Sequence, residues 1–91
     1  MLIEKGKYTI PLEYSVKLYK SKQFHQSFNY FTLLSKMNNP IALYFIGRMK
    51  FYGEGCIKNE EESYKILKHL SDNGIDQATE FLENNFLIKS G

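Results

Sequence analysis

Apolar residues recur every three or four positions along most of this chain, and strict apolar–polar alternation shows only briefly, around Tyr8 to Leu12. A period near 3.6 is that of a helix with one buried stripe, so the pattern predicts an all-α protein. Pro11 suits the first turn of a helix, where its missing N–H is not needed, and predicts helix one from Leu12 to about Ser21 with Tyr14, Leu18 and Tyr19 facing inward. Helix two runs from about Phe24 to Met37 on a stripe of Phe24, Phe28, Phe31 and either Leu34 or Leu33, until Asn38-Asn39-Pro40 breaks it. Pro40 opens helix three, which carries Ala42, Phe45, Ile46, Met49 and Tyr52 and stops at Gly53-Glu54-Gly55. Asn59, with Glu62 three residues on, reads as the cap of helix four, about Glu60 to Asn73, whose acidic first turn suits the helix dipole. Gly74 is a left-handed stop, and helix five follows from Ile75 to about Asn85 with Ala78, Phe81 and Leu82 inward.

The helices repeat. At an offset of 36 residues Ser27 matches Ser63, Phe28 matches Tyr64, Phe31 matches Leu67 and Leu34 matches Leu70, and the register continues through Asn38 and Gly74, Ala42 and Ala78, Phe45 and Phe81, Ile46 and Leu82. A helix, its turn and its successor therefore recur together. One hairpin cannot bury its own apolar face, so neighbours must stack, with the first helix of each pair lining a concave face. The expected organisation is a single domain over residues 1–91: an N-terminal arm over 1–10, a first hairpin over 11–38, a second over 39–74, and a capping helix over 75–86.

The stretch from Ala42 through Ile46, Gly47, Gly53 and Gly55 to Cys56 resembles the Sel-one-like repeat, a longer-looped relative of the tetratricopeptide repeat. In that likeness Ile46 takes a leucine place, Gly47 permits close packing on the next helix, Gly53 and Gly55 form the loop, Ser63 stands at a small alanine, and Gly74 ends the unit with Ala78 beginning the next stripe. The chain departs from the pattern at Lys50, Cys56, Asn59 and Ile66, and Leu70-Ser71 replaces an alanine pair, which makes the second unit bulkier. The resemblance implies a short right-handed superhelix of about two and a half helix-turn-helix repeats. It also implies protein–protein binding without a catalytic residue set, and the fold alone does not name the partner.

Composition narrows the function classes. With 43% hydrophobic and 15% aromatic residues, the chain has enough apolar material to fold. Met1-Leu2-Ile3 gives way at once to Glu4 and Lys5, and no apolar run approaches the roughly 20 residues of a bilayer span, so neither signal peptide nor membrane segment is expected. The lone Cys56 cannot form an internal disulfide, which fits a reducing, cytoplasmic location. The net charge of +2 hides a split: residues 1–53 carry eight basic and two acidic side chains, residues 54–91 four basic and eight acidic, or +6 against −4. That asymmetry bears on partners and on association rates.

No constellation points to catalysis. A phosphate loop would follow a strand, whereas Gly53-Glu54-Gly55 follows a helix. Cys56, His25 and His69 lack the paired spacing of a zinc site and an oriented base for a nucleophile, so Cys56 reads as a small buried hydrophobe and no metal or cofactor is expected. The basic and aromatic residues are more informative. Tyr14, Lys17, Lys20, Tyr44 and Arg48 belong to the first helices of their hairpins and are the candidate protein-binding residues, since Tyr and Arg are favoured anchors. The expected function is a noncatalytic protein-binding module, a small bacterial immunity or inhibitor protein that neutralises a cognate toxin through an acidic patch on that toxin. An adaptor or regulatory subunit is the alternative, and nucleic-acid binding through the basic half ranks below both, because the acidic half would repel phosphate.

Overall fold

The computed structural model describes residues 11–86, which form five α-helices with no strand among them: α1 (Leu12–Lys20), α2 (Phe24–Ser35), α3 (Pro40–Tyr52), α4 (Glu60–Asp72) and α5 (Asp76–Asn85). The expected N-terminal arm over 1–10 lies outside the described residues. Each helix packs on its successor, as short connections require. The starts of α3 and α4 are fixed by asparagine side chains: Asn39 Oδ1 accepts from the N–H groups of Ile41 and Ala42, both at 3.0 Å, and Asn59 Oδ1 accepts from Glu62 N at 3.0 Å. These satisfy donors that the first turn of a helix leaves without partners.

The reciprocal half of the predicted capping box at α4 does not form. Asn59 N donates instead to Lys50 O at 2.8 Å, and the Glu62 carboxylate reaches Lys50 Nζ at 3.2 Å. Docking the loop on α3 gives both groups better partners there. α2 likewise ends at Ser35, two residues before the expected Met37, because Asn38 turns left-handed at φ 65° and its neighbours bond back into the helix end. Asn38 N donates to Ser35 O and Asn39 N to Leu34 O. After α4, Gly74 sits at φ 87°, its N–H donates to Ser71 O, and Ile75 N donates to Leu70 O. Each of these atoms stands 36 residues after its counterpart, so the turn between the helices repeats bond for bond.

Burial follows the same offset. Ser27 and Ser63, Phe31 and Leu67, and Ala42 and Ala78 are all fully buried, and Leu34, Leu70, Ile46 and Leu82 are buried beside them. They fall into two clusters, one of Phe31, Leu34, Ala42, Ile46 and Met49, the other of Leu67, Leu70, Ala78, Phe81 and Leu82, bridged by Leu43 and Ile66. Of the two leucines that could close the α2 stripe, Leu34 is buried and Leu33 exposed.

α3 and α4 cross closely. Ser63 Oγ donates to Gly47 O at 2.7 Å in a buried bond, and a Cβ added at Gly47 would stand 2.9 Å from Leu67 Cγ and 3.2 Å from Ile66 Cγ2. Two stripe residues differ from expectation. Tyr14 is 46% and Tyr52 47% exposed, because each lays its ring edge-on against a neighbouring aromatic, Tyr14 on Tyr30 and Tyr52 on Phe51 and Phe81. That arrangement covers the ring and leaves the hydroxyl in water.

Candidate protein-binding face

Helix spacing sets the centre of the site. Tyr44, Arg48 and Tyr52 recur every fourth residue of α3 and so form one ridge along it. Tyr19 of α1 flanks that ridge on one side and Phe81 of α5 on the other. The Arg48 guanidinium carbon lies 5.4 Å from the Phe81 ring centre, 5.8 Å from that of Tyr44 and 5.9 Å from that of Tyr19. These are cation–π distances, and three helices meet at this one side chain.

Polar bonds order the same group. Arg48 Nη1 donates to the Tyr44 hydroxyl at 3.2 Å, and the Tyr19 hydroxyl donates to Glu54 Oε1 at 2.8 Å. Glu54 reaches Tyr19 through its loop. Gly53 turns left-handed at φ 77°, and Gly55 approaches the start of α2 so closely that a Cβ there would run into the Phe24 carbonyl, 2.7 Å from its carbon. Only a residue without a Cβ lets the loop settle against α2 and present Glu54 to α1.

Burial raises the Tyr19 phenol to about 12, and its hydrogen bond to the Glu54 carboxylate, which needs the proton in place, adds to the effect against the opposing pull of Arg48. Burial alone would lower the Arg48 guanidinium, but the Tyr44 hydrogen bond and the neighbouring Tyr19 and Tyr44 oxygens outweigh it and hold the group above its ordinary value. Arg48 stays charged.

The structure brings Tyr44 and Arg48 together. Lys17 and Lys20 stand exposed on an adjoining flank of α1, where with Leu12, Glu13, Val16 and Ser21 they line an open groove of about 490 Å³. Tyr14 lies apart from them, on the side of α1 that meets Tyr30 of α2. Tyr19, Glu54 and Phe81 belong to the cluster without having stood among the candidates. The offset pairing Phe45 with Phe81 carried a signal for the last of these, and an acidic residue held between two glycines carried one for Glu54. Of the repeat positions, Ala42, Ile46, Gly47, Ser63 and Ala78 are buried, while Gly74 has open space around it and needs its residue type only for its backbone angle.

Cys56 is half-buried rather than sealed in the core, its thiol facing Met49 O at 3.5 Å. Burial pushes the thiol up, and Lys50 only partly opposes this, which disfavours the reactive thiolate. Each member of the acidic trio has a lysine beside it: Glu60 with Lys58 at 3.2 Å, Glu61 with Lys65 at 3.7 Å and Glu62 with Lys50 at 3.2 Å. Among the described residues, no group of three or more His, Cys, Asp or Glu is placed to hold a metal ion, and no helix is long and apolar enough to cross a membrane. No family model matches the chain, and comparison with curated proteins and with solved structures returned no match.

Proposed function

We propose that this protein is a noncatalytic protein-binding module of the Sel-one-like kind, its hairpins stacked as a short right-handed superhelix, and that it binds one partner across the face of α1, α3 and α5. The observation that carries this reading is the ridge of Tyr44, Arg48 and Tyr52 between Tyr19 and Phe81. Aromatic rings and a guanidinium held in place by their neighbours lose little side-chain freedom on docking, which is what interface anchors need. The reading extends to a small bacterial immunity or inhibitor protein acting in the cytoplasm on a cognate toxin.

The test compares affinity capture by the wild-type chain with capture by Tyr44→Ala and Arg48→Ala variants, followed by reconstitution of the captured protein from purified components. A partner held by the wild type and lost by both folded variants supports the face. Suppression of that partner's activity by the bound module supports an inhibitor, and an active but tethered partner supports an adaptor. A partner that both variants retain at full affinity would refute this face as the binding surface.

A further inference from the structure

Arg48 sits half-buried among three aromatic rings. Lys50, Lys58, Lys65 and Lys68 each pair with a carboxylate, whereas no described acid lies within ion-pair reach of Arg48, and Glu54, the nearest acid in sequence, is taken by Tyr19. Of the five N–H donors of a guanidinium, the structure shows one on the Tyr44 hydroxyl, while the Nε donor is buried without a partner. Tyr44, having accepted from Arg48, keeps its own proton as a donor on the same spot.

We propose that Arg48, framed by Tyr19, Tyr44 and Phe81, receives a carboxylate from an acidic segment of a partner protein. A planar fork of donors matches the two oxygens of a carboxylate, and a guanidinium sheds water more readily than an ammonium, so a half-buried arginine between aromatic rings favours this ligand. A phosphoryl group carries close to two charges and is ordinarily met by a cluster of cations. Here Lys50, two residues on in α3, faces Phe28 and Glu62 instead, and no second cation stands beside Arg48 among the contacts described. Tyr52, exposed one turn along the ridge, supplies apolar contact beside the charge, which suits a segment with an aromatic or aliphatic residue next to its acid. The +6 charge of residues 1–53 draws such a segment toward this half. The inference rests on the protein-binding reading and names the chemistry of its partner.

The probes are two capped dipeptides, acetyl-Glu-Phe-amide and acetyl-Gln-Phe-amide, together with inorganic phosphate, each titrated into the full-length chain while the Arg48 Nε–H resonance and the backbone amides are followed by NMR. The glutamate probe should give a saturable shift at Arg48 Nε–H and bind about tenfold more tightly than the glutamine probe. Arg48→Gln should erase that difference, and Arg48→Lys should recover only part of it. If Arg48→Gln fails to fold, the two probes on the wild-type chain still decide. Equal binding of the two peptides on α1, α3 and α5 would overturn the carboxylate site and leave the protein-binding face standing. Absence of any perturbation at Arg48 would overturn the site as well, and the capture experiment would then judge the face separately. Tighter binding of phosphate than of the glutamate probe would reassign the site to a phosphoryl group.

Discussion

Single residues without side chains fix two close approaches among the described residues, at Gly47 and Gly55, and the first gives a sharp prediction. At Gly47 the α3 backbone accepts a buried hydrogen bond from Ser63 with the Leu67 side chain directly above. Gly47→Leu must push α4 away or force Leu67 off its rotamer, and overpacking of this kind costs about 1–3 kcal/mol. Chemical denaturation should show a lower midpoint; an unchanged midpoint would mean that the crossing is loose. Tyr19 offers a second test, through pH. Its folded value of about 12 lies above the ordinary 10.0, so the neutral phenol is favoured by folding. The stability it contributes is complete below about pH 10 and is lost as pH rises toward 12. The stability difference between the wild type and Tyr19→Phe should therefore be flat to about pH 10 and then shrink. A difference that stays constant through pH 12 would mean that neither burial nor the Glu54 bond holds the phenol above its ordinary value.

At the scale of the element, the sequence pattern located all five helices, because each combines a 3.6-residue stripe with an explicit start or stop signal. Asn39 and Asn59 are such signals, and their side chains bond the first-turn N–H groups. Asn59→Ala should destabilise the fold by about 1 kcal/mol and Asn39→Ala by at least as much, since Asn39 serves two donors. Thermal unfolding measures both, and equal stability of Asn39→Ala and wild type would show that the cap contributes nothing. What the pattern missed is set by contacts between elements. Periodicity placed Tyr14 and Tyr52 on inward stripes without showing that each would lie along the rim of a neighbouring ring. It read Glu62 as a capping residue, whereas Lys50, distant in sequence, claims its carboxylate. Of the candidate site, Tyr44 and Arg48 were legible from their spacing on one helix. Glu54 between its two glycines and Phe81 at the repeat offset carried signals one by one, but with Tyr19 they reach Arg48 or its neighbours from three other segments, and no local pattern encodes that convergence.

For the whole molecule the governing feature is the division of charge, +6 over residues 1–53 against −4 over residues 54–91. Exposed charges at this scale act on encounter more than on stability, because a field reaches about one Debye length, roughly 8 Å at physiological salt, beyond the surface. Lys17 and Lys20 lie exposed on α1, beside the ridge but outside its aromatic frame. Reversing both to Glu should slow association with an acidic partner by about tenfold at low salt and flatten its salt dependence, while folding stays nearly intact. Tyr44→Ala should do the opposite, leaving the association rate almost unchanged and speeding dissociation, because a packed ring acts only after contact is made. Association and dissociation rates measured by surface plasmon resonance at two salt concentrations separate the two effects. Should the lysine reversals leave association untouched while reversal of Glu80 and Glu83 on α5 abolishes it, the steering field is that of the acidic half, and the partner's patch is basic.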